Sequence, residues 1–216
     1  MPIGPLAIVL AIGGAVWGIA ADRISTHWPD HDADEGFIAG RAIGWRTAVV
    51  AAFGAIGLGA LPSRFEAPLE LVVFGAYVAV LVLLLATDLD QRLLPDVITL
   101  PLIPLALLFA LSGQNPLVGG AVLPAIAAAV IIPALLYLPS LLFGPGAFGL
   151  GDVKLLVTVG LVSGAYRAVA GTLVGVIVAG VVIVGLLVTR RVSLKSYIPF
   201  GPFLILGALW AILLRG

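Results

Sequence analysis

The sequence predicts an all-α, polytopic integral membrane protein of about eight transmembrane helices, and three observations carry that reading. Hydrophobic residues make up 62% of the chain and charged residues only 10%, where a soluble domain is about half apolar and a quarter charged. The mean hydropathy is +1.23. The apolar residues also fall into runs close to the roughly 20 residues that a helix needs to cross a hydrocarbon core about 30 Å thick. A chain of 216 residues occupied in this way leaves no room for a large soluble domain, so residues 1–216 read as a single membrane domain.

Polar punctuation sets the elements in order. The first run, 3–21, lies in "MPIGPLAIVLAIGGAVWGIAAD". It ends in small residues like a secretory signal but lacks the basic start of one, so it reads as a retained span. After the polar loop 22–45 come helices at 46–61 and 68–87, then 97–112 and 118–139, of which 46–61 and 97–112 are short. The next two, 153–165 and 168–189, are separated only by Tyr166 and Arg167. The last, 198–214, opens on "PFGPF", and a proline at a helix start is ordinary capping. Glycine and alanine in "VVAAFGAIGLGA" and "GTLVGVIVAGVVIVG" suit close backbone approach in lipid, where no hydrophobic effect drives helices together. Neither a strict repeat nor the paired halves of many transporters is visible.

Basic residues are retained in short cytoplasmic loops. With the N-terminus outside, the inner side collects Arg23, Arg41, Arg46, Arg92, Lys154, Arg190, Arg191 and Lys195, against Arg64, Arg167 and Arg215 outside. The loops at 88–96 and 144–152 then share the cytoplasmic face. The chain has no cysteine, which excludes disulfides, thiolate metal sites and cysteine nucleophiles. Net charge is zero and no basic tract points to nucleic acid. The expected surroundings are the lipid bilayer, and no oligomeric state is assigned.

Two places combine an acid with a span end on that face. In "LLLATDLDQRLLPDVITLPLIP" Asp88 follows a long apolar run, with Asp90 and Asp96 close behind; in "GAFGLGDVKLL" Asp152 directly precedes the sixth helix. Asp90 and Asp96 flank Arg92 and are equally well read as solvated interfacial acids. Asp88 and Asp152 are stronger candidates, because an ionised carboxylate at such a position costs several kcal/mol unless it is paired. The sixth helix, Val153 to Ala165, spans only about 20 Å, so it starts below the surface in a wet recess unless the bilayer thins there. Two carboxylates sharing a site cannot both ionise easily, so one stays protonated while the other activates a bridging water. Such a pair can hydrolyse a peptide bond without metal or covalent intermediate. Gly149 and Gly151 would let a substrate strand approach the loop backbone, although "GLGD" alone is a weak motif.

With those residues in view, the chain resembles the prepilin peptidases, or type IV leader peptidases, of the GxGD class of intramembrane aspartyl proteases. "DLDQRLLPDVITLPL" at 88–102, "FGLGDVKLL" at 148–156 and "IPFGPFLILGAL" at 198–209 carry the match. It extends from about residue 68 to 216 as a peptidase core, and more weakly through "GAVWGIAADRIS" at 14–25, with its Arg23. The resemblance implies Asp88 and Asp152 as the catalytic pair, with Asp90 as the fallback for Asp88, and Gly149 and Gly151 as the active-site loop. It implies prepilin or pseudopilin substrates, cut at the cytoplasmic face of the inner membrane after a short basic leader. Asp90 and Asp96 could attract that leader. Lys154 has two readings, holding the charge of Asp152 or snorkelling to the interface, and Pro199 and Gly201 help frame the cavity.

The departure is the 22–45 loop, "DRISTHWPDHDADEGFIAGRAIGW". Many members carry a longer loop with paired CxxC motifs and also N-methylate the mature pilin. Without those cysteines the resemblance supports the protease half alone. His27 and His31 sit four apart among acids, a spacing that binds metal on a helix, but Pro29 interrupts it, and no metal or cofactor is expected. The alternatives from other classes are a small proton- or cation-coupled transporter using Asp88 and Asp152, and a non-catalytic assembly partner. Neither accounts for three motifs and two aspartates together.

Overall fold

The computed structural model describes residues 4–28, 43–143, 149–191 and 199–214. Among these residues the chain forms seven α-helices and one 3₁₀ turn. They divide into two compact units, the described parts of Met1–Pro95 and of Asp96–Leu214.

The first unit holds α1 (Pro5–Ser25), α2 (Trp45–Ala60), a 3₁₀ turn over Leu61–Ser63, and α3 (Pro68–Gln91). Pro5 and Pro68 open their helices at the position where a missing N–H is harmless. α1 and α2 pack through glycine. A Cβ on Gly14 would strike the carbonyl of Gly54, one on Gly54 would strike that of Gly14, and Gly18 lies against the backbone of Ala51. The indole N–H of Trp17 donates to the Ala79 carbonyl at 2.8 Å, pinning α1 to α3. At the far end the Gln91 side chain donates to the Ser25 carbonyl at 2.7 Å. Phe74 is buried and stacks on Phe65 with ring centroids 4.2 Å apart.

The second unit holds α4 (Asp96–Leu111), α5 (Val122–Phe143), α6 (Leu150–Val188) and α7 (Gly201–Leu213). Pro101 and Pro104 lie inside α4, where each removes a helix hydrogen bond. Gly160 of α6 sits against the backbone of Ala129, and Gly171 and Gly207 bring α6 and α7 together as Gly14 and Gly54 do α1 and α2.

Several boundaries differ from expectation. The two helices expected at 153–165 and 168–189 fall within one stretch, Leu150–Val188. The run is broken at Gly164, which takes φ 75° and ψ 166°, a conformation open essentially to glycine. α6 is thus two helical segments that meet at Gly164, two residues before the separation expected at Tyr166. α6 begins at Leu150, so Gly151 and Asp152 belong to its first turn rather than to a preceding loop. α3 continues past 87 through Asp88 and Asp90, and stops where Arg92 turns left-handed with φ 56°. α5 starts at Val122 rather than 118, because Gly119 and Gly120 adopt positive φ.

Four helical stretches, Pro5–Ser25, Trp45–Ser63, Pro68–Gln91 and Leu150–Val188, are long and apolar enough to cross a membrane. The outward faces are as apolar as the interior. Val9, Val16, Ile56, Val72, Leu135 and Val181 are each more than half exposed, a surface that suits lipid rather than water. The chain is thus an all-α protein with the character of a polytopic membrane protein.

Candidate active site

Asp88 stands in the last turn of α3 and is buried, 5% exposed, directly after the buried Leu84, Leu85, Ala86 and Thr87. Its backbone carbonyl accepts the Arg92 N–H at 3.0 Å, closing the helix. An apolar run delivers the carboxylate to this spot. The left-handed Arg92, followed by Pro95, then stops the helix directly after it.

Asp90, two residues on, is half-buried and paired with Arg46, the second residue of α2. The same guanidinium reaches Asp22 of α1 at 3.4 Å, and the Thr47 hydroxyl donates to the other oxygen of Asp22 at 2.6 Å. Asp22 is 1% exposed and Thr47 3%. Asp90 is therefore engaged within its own unit. The sequence reading overlooked Asp22 and Thr47 and counted Arg46 only as a topological charge. A signal was available. Asp22 and Asp90 sit at helix C-termini and Arg46 at a helix N-terminus, each opposed by the local helix dipole.

In the second unit Asp152 is the third residue of α6 and half-buried. Gly149, in the N-cap position, donates its backbone N–H to this carboxylate, the return half of a capping box. Gly149 has φ −78° and ψ 147°, which any residue can adopt. Its lack of a side chain matters for a different reason, since a Cβ there would stand 3.3 Å from the Asp152 Oδ2. Lys154 pairs with Asp96, the first residue of α4, and not with Asp152. Asp96 is largely exposed, so that pair lies at the unit's surface.

Pro199 is half-buried just ahead of α7, and Gly201 is the buried first residue of that helix. Phe200 and Phe203 flank it with ring centroids 6.3 Å apart. His27 is hydrogen-bonded to Thr26 at 2.7 Å, while His31 and most of the 22–45 loop lie outside the described residues. Among the described residues no group of three or more His, Cys, Asp or Glu could hold a metal ion. Asp88 and Asp152 belong to different units.

The profile of the type IV leader peptidase family matches residues 75–188, more than half of the chain, and takes in both aspartates. The chain belongs to the type IV leader peptidase family. Among similar family members is the prepilin leader peptidase/N-methyltransferase of Aeromonas salmonicida (strain A449), 38% identical over 137 residues, covering 63% of this chain and 47% of that protein. Another is the protein of the same name from Burkholderia pseudomallei (strain K96243), 36% identical over 158 residues, 72% of this chain and 50% of that one. The counterpart in Pectobacterium carotovorum is 31% identical over 171 residues, 76% of this chain and 57% of the relative. The chain thus spans about half the length of the leader peptidases it matches. No solved structure matches it significantly.

Proposed function

We propose that this protein is an intramembrane aspartyl endopeptidase that removes the basic leader from type IV prepilins or pseudopilins at the cytoplasmic face of the membrane. The observation that carries the proposal is the family match over 75–188, which contains Asp88 and Asp152 in the two motifs expected to supply the catalytic pair.

In this reading the two carboxylates hold one water between them, one ionised and one protonated. The ionised carboxylate takes a proton as the water oxygen attacks the scissile carbonyl carbon, and the protonated one donates to the carbonyl oxygen. Collapse of the tetrahedral intermediate breaks the C–N bond, and the leaving amine takes the proton held by the first aspartate. The water supplies the new carboxylate oxygen, so no metal or cofactor enters the balance. Gly149 keeps the approach to Asp152 clear. Asp96 and Lys154 pair at the surface of the second unit, and in this reading they meet the charged leader. The proposal covers the peptidase half of the relatives' names and not the N-methyltransferase half, because the 22–45 loop carries no cysteine.

The test is cleavage of a purified prepilin by the detergent-solubilised protein. Asp88→Asn and Asp152→Asn should each slow cleavage by at least about 100-fold, the loss expected on removing a general acid or base. Cleavage at the wild-type rate by either variant removes that residue from the pair. An inert wild type that instead moves protons or cations across vesicles would favour the transporter reading.

A further inference from the structure

The Asp22, Arg46 and Asp90 cluster is unusual by three independent criteria. It brings together the C-terminus of α1, the N-terminus of α2 and the C-terminus of α3. Asp22 and Arg46 are buried and Asp90 is half-buried, with side-chain exposures of 1%, 11% and 12%. Each charge also stands at the helix end where the backbone dipole disfavours it. Local helix stability therefore does not account for these residues, and a buried ion pair is generally no more stabilising than an apolar substitute of the same volume. Violations of local preference of this kind gather where function requires them.

Position supplies the function. Successive side chains on a helix are separated by about 100°, so Asp88 and Asp90 leave α3 on nearly opposite faces, about 200° apart. A grip on Asp90 therefore fixes the rotation of the last turn of α3 and with it the direction of Asp88. The Gln91 side chain ties the same turn to the Ser25 carbonyl of α1 at 2.7 Å, while Arg46 is the charged group that grips it from α2. The planar guanidinium suits the task because one group addresses two carboxylates, Asp90 and Asp22, from fixed directions. Thr47, next to it on α2, holds the second oxygen of Asp22 and so orients the anchor itself.

We infer that Arg46, anchored by Asp22 and Thr47, is a positioning residue that clamps Asp90 and thereby aims Asp88 for the reaction. The inference rests on Asp88 being one of the catalytic pair, as proposed above. It assigns Asp90 to the clamp rather than to the substrate leader.

Two readouts test it, one of them independent of activity. The sequence contains no cysteine, so Leu89→Cys provides a single site for a nitroxide label between Asp88 and Asp90. With Arg46 present the label should be immobilised. It should gain mobility in Arg46→Gln and lose it again in Arg46→Lys. In the unlabelled protein, Arg46→Gln and Asp90→Asn should lower kcat by about 100-fold, the size of effect a misplacement near 1 Å produces, with KM changed by less than about twofold. Arg46→Lys should recover part of that loss.

A spectrum that does not change between Arg46 and Arg46→Gln overturns the clamp, whatever the activity. So does a raised KM with wild-type kcat in Asp90→Asn, which would make Asp90 a leader contact. A lowered melting temperature with wild-type kcat would make the cluster merely structural and also overturns it. The triple variant Asp22→Asn, Arg46→Gln and Asp90→Asn leaves no charge of the cluster stranded, and should keep the fold while showing the mobile spectrum. Full activity in Asp88→Asn would instead refute the catalytic assignment of Asp88, an outcome separable from the label's response.

Discussion

The side-chain amide of Asn115 donates to the carbonyl of Val162 at 2.9 Å, two residues before α6 breaks at Gly164. Asn115 is 2% exposed, and its oxygen accepts the backbone N–H groups of Leu117 at 3.0 Å and Val118 at 3.3 Å. One side chain thus folds the turn after α4 and also serves a carbonyl beside the interruption in α6. Asn115→Ala strands up to three buried backbone groups. At about 1–3 kcal/mol for each unsatisfied group, partly relieved by relaxation, a loss of about 3 kcal/mol is expected. A thermal unfolding midpoint in detergent equal to that of the wild type would show that the amide is not needed.

Gly164→Ala should be costly for a separate reason. Its φ of 75° and ψ of 166° are strained for any side chain, and an added Cβ would stand 2.9 Å from the Leu117 carbonyl oxygen. The backbone strain alone is about 1–3 kcal/mol. Protease resistance of the folded protein, followed with temperature, should fall accordingly, and full retention of it would mean that α6 can run straight through this point.

Neighbouring glycines in α1 offer an internally controlled comparison. Gly14 meets the Gly54 carbonyl, whereas nothing lies within 4 Å of a Cβ on Gly13. Gly14→Ala should destabilise by about 2 kcal/mol or more through overpacking, while Gly13→Ala should be neutral or stabilising by up to about 1 kcal/mol, the helix preference of alanine over glycine. Equal effects of the two substitutions in the same unfolding assay would refute close packing of α1 on α2.

The two ion-paired sites should respond differently to neutralisation. Lys154 and Asp96 form a surface pair, so Asp96→Asn should change stability by less than about 1 kcal/mol. Neutralising Arg46 alone leaves Asp22 and Asp90 buried together, with an expected loss of about 3–5 kcal/mol. Similar unfolding midpoints for Asp96→Asn and Arg46→Gln would contradict the burial of the Arg46 cluster.

Asp152 can be examined without disturbing its helix. An asparagine retains an oxygen able to accept the Gly149 N–H, whereas alanine does not. Asp152→Asn should therefore keep the start of α6 and lose only cleavage, while Asp152→Ala should in addition lose about 1 kcal/mol of stability. Gly149→Ala should leave the fold intact and reduce kcat, because its Cβ displaces the carboxylate by a few tenths of an ångström. Wild-type kcat in Gly149→Ala would show that the clearance beside Asp152 has no bearing on the reaction.

Much of this organisation was legible in the sequence because hydropathy reports burial in lipid directly. The limits of the apolar runs fell within a few residues of most helix ends, and Tyr166 with Arg167 marked the break in α6 to within three residues. The boundaries that differ share a cause. Charge was read as the end of a helix at Asp22 and at Asp88, yet both residues continue their helices. α3 ends instead at Arg92, where backbone conformation changes. At Gly119 and Gly120 the reverse holds, since an apolar stretch contains a turn that hydropathy does not see. Within the site, Asp88 and Asp152 stood out because each directly borders a long apolar run. Asp22 and Arg46 did not, because their meaning depends on a pairing between two helices across the loop that joins them.

The pairing of Asp22 with Arg46 also bears on how the protein enters its membrane. Presented singly to the insertion machinery, α1 would carry an unneutralised acid at its trailing end and α2 an unneutralised base at its leading end, each raising the free energy of partitioning. Arriving as a hairpin, already closed through Gly14 and Gly54, the two cancel one another's charge. Packed together, the first two helices thus present lipid with a hairpin in which this acid and this base neutralise each other.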